Sequence, residues 1–446
     1  SSSYDALVAH RTAETTVTNS RFLGCGDYGL HINYCPNFVA TNCQIVFPGG
    51  IGVEISGGKT KLTKVSISRA RSIGLSLRKG AEALFTECNV LRGQTGCNIN
   101  ESTCQFISCN FSHNSRCGLC TRSLKLVSFE KCRFEKNGRH GLLAEPNSHC
   151  QLKKCVFHEN GHHGLRSRGK LRAFDCTFTK NKECGFYGSS DGRGKLVNCK
   201  IIGNGEHGID LRGKTIYAIT NCVVQENEEA NLRSHDVAIV VCKNSSFNSS
   251  PNTGLYTSSP KRQRFFNCEV LNNKGQGIKV PLSRNWQMHN SLIEGSGTTG
   301  MFVKAGKLSI FKTTFHDNHR AHLSVGDAKV KAMECKFTCT KTGDGVNLFS
   351  TGHLELHGCS IENSNGQGLR SSGTVVATTS SFSNNVLNGM KIGQGGTIGF
   401  GLTLAKNGHY GISAFGSAKI TLDKTCKFID NKFGEAEVTQ QAKLLR

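Results

Sequence analysis

Between Cys132 and Gly208 the chain states one short pattern four times, and a chain that repeats itself folds as copies of one unit set side by side. The pattern is Cys132-Arg-Phe134 with Asn137 and Gly141-Leu142; then Cys155-Val-Phe157, Asn160, Gly164-Leu165; then Cys176-Thr-Phe178, Asn181, Gly185-Phe186; then Cys199-Lys-Ile201, Asn204, Gly208-Ile209. Taking the Gly before an apolar residue as an anchor, the register extends over Gly29, Gly52, Gly74, Gly96, Gly118, Gly141, Gly164, Gly185 and Gly208. It continues over Asn231, Gly254, Gly277, Gly300, His322, Gly345, Gly368, Gly389, Gly411 and Gly434. Inside each copy apolar residues alternate, as in Gly208-Ile-Asp-Leu211, which is the period of a strand with one buried face. No copy buries its own inner face, so each strand must pair with its counterpart in the next copy, about 4.8 Å away. A period of about 22–23 residues predicts an all-β right-handed parallel β-helix, a solenoid of about 19 coils. Such a stack would measure roughly 90 Å.

Two ladders of polar or small residues run through the register. Cys43, Cys88, Cys109, Cys132, Cys155, Cys176, Cys199, Cys222, Cys268, Cys335, Cys359 and Cys426 share one slot, filled elsewhere by Ser20, Val65, Ser245, Thr313 and Ser380. Only small or apolar residues occur there, as an inward slot requires. The 22 cysteines could instead form a secreted disulfide framework, but parallel side-chain vectors in stacked coils do not favour the disulfide dihedral. The expectation is a ladder of free thiols, which favours a reducing intracellular compartment or organelle. Asn114, Asn137, Asn160, Asn181, Asn204, Asn227, Asn273, Asn318, Asn385, Asn407 and Asn431 form the second ladder, four residues before the anchor in most copies. Its expected role is structural: Asn tolerates turn geometry and bonds backbone and stacked neighbours. The anchor glycine serves a bend with positive φ or a close backbone approach.

The repeat covers residues 1–434 as a single β-helix domain without linkers, and 435–446 reads as a C-terminal cap or tail with helix-forming residues. No run of about 18 apolar residues is present to span a membrane as a helix. An open β-helix exposes unpaired edges. No capping segment stands before Thr16-Val17-Thr18, so an upstream domain or a partner is expected to cover that end.

The periodic pattern resembles the pectin-lyase-like superfamily of right-handed parallel β-helices, over nearly the whole chain. That resemblance implies the fold and leaves the activity open, because the superfamily holds polysaccharide lyases, hydrolases and epimerases as well as binding proteins. Its polygalacturonases need an Asp-Asp pair and a Gly-His-Gly. Here only Gly138-Arg-His140-Gly141, Gly161-His-His163-Gly164 and Gly205-Glu-His207-Gly208 approximate the latter, and no Asp-Asp occurs. No acidic cluster corresponds to the calcium site of the pectate lyases. No family active site carries over.

Chemistry must then be sought in columns read down the coils. Before the anchors stand His140, His163, Cys184 and His207, and one place earlier Arg139, His162, Glu183, Glu206 and Glu229. Stacked glutamates repel, so such a column raises a pKa, binds a cation or takes charge from basic neighbours. Two residues after the anchors, outward by alternation, come Arg166, Tyr187, Asp210, Arg233, Tyr256 and Lys279. Together with Arg212, the members Arg166, Tyr187, Arg233, Tyr256 and Lys279 are the candidate binding residues. Glu206, His207, Asp210 and Arg233 are the candidates should there be catalysis, a carboxylate as base and Arg233 as charge stabiliser. His163, Cys184 and His207 are metal-ligand types in no known finger spacing, and no metal is expected. Ordinary solvated turn side chains account for the same columns. Arg122, Arg168, Arg212, Lys261, Arg262 and Arg264 suggest a basic stripe, with Lys261-Arg-Gln-Arg264 read as an exposed loop.

A net charge of +23, from 55 Lys and Arg against 32 Asp and Glu, favours anionic partners. The leading reading is a non-catalytic scaffold or binding protein, a basic rod docking acidic protein or polyanionic glycan, within a larger assembly. The alternative is a lyase or epimerase on anionic polyuronate, and calcium enters only with it. Nucleic acid is disfavoured, since the aromatic residues are mostly inward Phe and there is one Trp.

Overall fold

The computed structural model describes residues 4–349, 351–439 and 441–445. All regular secondary structure among them is strand. The chain divides into two units, Ser1–Val223 and Val224–Arg446. Each is a run of right-handed β-helix coils, and the whole chain makes about 19 turns, one for each of the 19 short strands of the smaller sheet. No helix among the described residues is long and apolar enough to cross a membrane.

A coil of the first unit consists of Leu165–Ser167, Lys170–Phe174 and Thr177–Thr179, three strands on three faces. Every strand pairs in parallel with its counterpart one coil on, in the register that the anchors set: Leu142↔Leu165, Leu165↔Phe186, Phe186↔Ile209. On the third face Phe134↔Phe157↔Phe178 stack their rings with centroids 4.8 and 4.7 Å apart, filling the thin core. The second unit repeats the plan, for example in Leu369–Ser371, Thr374–Thr378 and Ser381–Ser383. There Thr299–Phe311 and Ala321–Met333 run unbroken through a corner that other coils turn.

From Asn114 to Asn204 the asparagine ladder is a continuous buried hydrogen-bond chain. Asn137 Nδ2 donates to Asn160 Oδ1 at 3.0 Å, Asn160 Nδ2 to Asn181 Oδ1 at 2.9 Å, and Asn181 Nδ2 to Asn204 Oδ1 at 2.9 Å. Each also donates to a carbonyl of the preceding coil, as Asn160 does to Phe134 at 2.9 Å. The anchor glycine is required by close approach: a Cβ on Gly164 would lie 2.7 Å from the Gly185 carbonyl oxygen and 2.8 Å from Asn181 Nδ2. Of the anchors Gly434 alone has a positive φ; otherwise positive φ falls on residues flanking the third strand such as Lys154 and Glu159, or Asp175 and Lys180. All 22 cysteines are free thiols. Ladder members donate to carbonyls, Cys132 Sγ to Phe106 and Glu130, both at 3.4 Å.

Two local expectations are corrected. Lys261-Arg-Gln-Arg264 is no exposed loop: Arg262–Phe266 is a strand with Gln263 buried, its Nε2 donating to the Ala238 carbonyl at 2.7 Å. The helix-forming segment after Gly434 is strand too, Gly434–Val438 and Lys443–Leu445, each paired in parallel with the coil before it. Gln440 and Arg446 of that segment lie outside the described residues.

Candidate functional site

The polar columns of the first unit converge on one face because three short strands put them in register. Leu165–Ser167, Phe186–Gly188 and Ile209–Leu211 align Arg166, Tyr187 and Asp210. Asp210 is fully buried, and Arg212 Nε donates to its Oδ2 at 2.8 Å. Burial works against the Arg212 charge, but the Asp210 carboxylate outweighs it and holds the guanidinium pKa up. The Tyr187 ring lies between cations, with Arg166 and Arg212 guanidinium carbons 5.3 and 5.4 Å from its centroid. Burial raises its phenol pKa.

A column of imidazoles backs this row. His140 stacks on His163 at 5.1 Å and His163 on Tyr187 at 4.4 Å. Burial, then the neighbouring imidazoles and Arg166, push His163 down to about 2. Burial, then Arg166, push His140 down to about 3. Both are neutral at physiological pH, and His163 Nδ1 accepts from the Cys184 N–H at 3.3 Å. The Nδ1 atoms of His162 and His163 lie 2.9 and 3.2 Å from Glu183; with His163 neutral and its Nδ1 an acceptor, His162 is the partner of that carboxylate. Glu206 stands exposed at the rim, its Oε2 accepting from Cys184 Sγ at 3.7 Å. Burial, with Asp210 and Glu206 nearby, raises the Cys184 pKa.

One coil earlier the groove deepens into a cavity of about 390 Å³ lined by Arg116, Arg122, Arg139, Asn98, Asn100 and Glu145, among others. Glu145 ties it to the next coil, 3.2 Å from Arg168 Nη1 and 3.9 Å from Arg122 Nη2. The face thus carries Arg116, Arg122, Arg139, Arg166, Arg168 and Arg212. Two of these, Arg166 and Arg168, keep a buried Nε–H with no acceptor among the described residues. Burial and then Arg168 lower the Arg166 pKa.

The sequence candidates fall out unevenly. Arg166, Tyr187, Asp210 and Arg212 come together. His207 is buried in the neighbouring coil, its carbonyl accepting from the Gly185 N–H at 3.2 Å. Arg233, Tyr256 and Lys279 belong to the second unit, where they form their own outward row with Lys279 Nζ 5.9 Å from the Tyr256 centroid. His163, Cys184 and His207 do not converge as ligands, and no group of three or more His, Cys, Asp or Glu fit to hold a metal occurs among the described residues. Sequence reading missed Arg116, the bridging role of Glu145, and a cluster near the start of the first unit. There buried Glu54 pairs with Arg78, and His31 lies between Glu54 at 3.9 Å and Asp5 at 3.3 Å. Glu54 shares the column of Tyr187 and Asp210, which is the signal that could have found it.

A family model described as the right handed beta helix region matches residues 5–96, 49–197, 187–337 and 282–433. The chain belongs to that family, and the resemblance read from its periodicity is borne out at the level of the fold. Among curated proteins none matches it in sequence. Solved structures similar to it include tailspike protein 3 of bacteriophage CBA120, at 10% identity over 85% of this chain with a TM-score of 0.36. The chain spans 56% of that tailspike's length. The periplasmic alginate epimerase AlgG is 9% identical over 87% of this chain and 78% of its own, with a TM-score of 0.32. The A-module of the Azotobacter vinelandii mannuronan C-5 epimerase AlgE4 is 11% identical over 88% and 91%, with a TM-score of 0.20.

Proposed function

We propose that this chain is a non-catalytic binding protein whose first unit holds a linear anionic glycan in its arginine-lined groove. The observation that carries the reading is that six arginines line one face while three of the acids among them are already engaged, Asp210 by Arg212, Glu145 by Arg168 and Glu183 by His162, and the fourth, Glu206, stands exposed at the rim. Two buried guanidinium N–H groups there lack an acceptor, which an incoming carboxylate or sulfate would supply. Arg116 and Arg139 stand one coil apart, and Arg122, Arg168 and Arg212 two coils apart, spacings of about 4.8 and about 10 Å that suit a linear polymer carrying charges at regular intervals. A lyase or epimerase needs a base of matched pKa. The two stacked imidazoles are far too acidic for that, the Tyr187 phenol too basic, and Asp210 is committed to its ion pair.

The test is binding of polygalacturonate, alginate and a sulfated glycan, against neutral dextran, by calorimetry at rising salt, with polymer length and C5 configuration followed in parallel. Expected are binding to the anionic polymers that weakens with salt, weaker binding by Arg122→Ser/Arg139→Ser, and unaltered polymer. New unsaturated or reducing ends, or changed C5 configuration, that vanish in Glu206→Gln would overturn the non-catalytic reading. Equal affinity for dextran would overturn the groove.

A further inference from the structure

Cys117-Gly-Leu-Cys120 is the only Cys-x-x-Cys in the sequence, and neither cysteine belongs to the thiol ladder. Ladder thiols are spent on backbone carbonyls. These two flank the bend at Gly118, whose N–H is fixed on the His140 carbonyl at 3.0 Å. Both line the cavity of about 390 Å³ walled by Arg116, Arg122 and Arg139, and Cys120 is half-exposed where most other cysteines are buried. We propose that Cys117 and Cys120 form a reversible dithiol site that reacts with small hydroperoxides entering the arginine-lined cavity.

The cavity has the features such chemistry needs. The neighbouring Cys120 thiol, then the His140 backbone and the Arg139 guanidinium, draw the Cys117 thiol pKa down against the opposing effect of burial. A lowered pKa enlarges the thiolate fraction, and the thiolate is the form that attacks a peroxide. The Cys117 thiolate attacks the terminal peroxide oxygen, the O–O bond breaks, and the departing oxide takes up a proton to leave as water or alcohol, giving the Cys117 sulfenic acid. The Cys120 sulfur then attacks Cys117 Sγ, the S–OH bond breaks, and hydroxide leaves as water with the Cys120 proton. Two thiols are oxidised by two electrons and one peroxide is reduced; an added dithiol reverses the step by exchange. The site shares its arginines with the proposed glycan groove, but its readout, the state of two sulfurs, does not depend on glycan binding.

The experiment treats the full chain with one equivalent of hydrogen peroxide, alkylates remaining thiols and maps the peptides. Expected is a Cys117–Cys120 disulfide, reversed by dithiothreitol, formed at least about tenfold faster than any oxidation of the buried ladder thiols Cys109, Cys132 and Cys155, none of which lines this cavity. Cys120→Ser should halt at a sulfenic acid on Cys117 that dimedone traps, and Cys117→Ser should leave Cys120 reduced. The proposal is overturned if both thiols alkylate fully after peroxide, if Cys97 or a second molecule supplies the bridge, or if Cys117→Ser consumes peroxide as fast as the parent.

Discussion

The two stacked imidazoles of the first unit make its stability a function of pH in a direction that can be worked out. His140 and His163 are held at about 3 and about 2, whereas an unfolded histidine titrates near pH ~6.5. Below that value the unfolded chain binds two protons that the folded chain refuses. Their contribution is therefore complete above about pH 6.5 and lost as the pH falls towards the folded values. Each imidazole gives a slope of about 1.4 kcal/mol per pH unit, so the pair removes about 4 kcal/mol between about pH 6.5 and about pH 5. A His140→Phe/His163→Phe variant keeps rings against Tyr187 and cannot take up the protons. It also loses the Nδ1 acceptor of the Cys184 N–H, which lowers its stability at every pH alike and leaves the slope as the readout. Buried His322 of the second unit, itself held at about 3, is present in both proteins and cancels in the comparison. Urea unfolding followed by far-UV circular dichroism, from about pH 7.5 to about pH 5, should show the parent losing stability and the variant losing about 4 kcal/mol less. Parallel pH dependences would refute the neutral, buried state of these imidazoles and with it the case against a histidine base in the groove.

Asn160→Ala should destabilise the first unit by about 3–5 kcal/mol, because it removes one hydrogen bond each from the Asn137 N–H, the Asn137 amide, the Phe134 carbonyl and Asn181 Oδ1 at once; amide hydrogen exchange at Asn137 should accelerate accordingly. Gly164→Ala drives a methyl into the Gly185 carbonyl and should lower the unfolding midpoint sharply. Gly203→Ala, at φ +64° with nothing within 4 Å of the new methyl, should cost only about 1 kcal/mol; equal losses would dismiss close approach as the reason for the anchors. Arg78→Ala leaves the carboxylate of buried Glu54 without its guanidinium and should cost about 3–5 kcal/mol by chemical denaturation.

What the sequence made legible was whatever recurs at a fixed offset. Phe157 faces inward because Cys155-Val-Phe157 alternates, and Asn160 stacks because it stands four residues before Gly164; one coil sufficed to place both in all the others. Where local chemistry spoke against the register, the register prevailed. Ser258-Ser-Pro260 beside Lys261 signals a loop, yet Val240↔Gln263 and Val241↔Arg264 continue the ladder. Glu435 and Ala436 favour helix, yet the strand Tyr410–Ala414 offers a row of backbone partners and takes them as strand. Propensity worth tenths of a kcal/mol per residue does not withstand a whole edge of unmade hydrogen bonds.

The groove lay beyond that kind of reading for a physical reason. A column is defined by offset alone, but whether Glu145 reaches Arg168 or Arg122, or whether Tyr187 meets His163 from one column and Arg212 from another, depends on rotamers that cross between columns. The repeat says nothing of them, because it is the same in coils without a groove. Function in a solenoid therefore has to be sought where the repeat is broken without loss of register. Cys117-Gly-Leu-Cys120 is such a break: Gly118 and Leu119 hold the anchor and the inward apolar position, and the two slots that face the cavity hold thiols in place of the imidazole and guanidinium found two coils on, at His163 and Arg166. The backbone is indifferent to that exchange; the chemistry of the cavity is not.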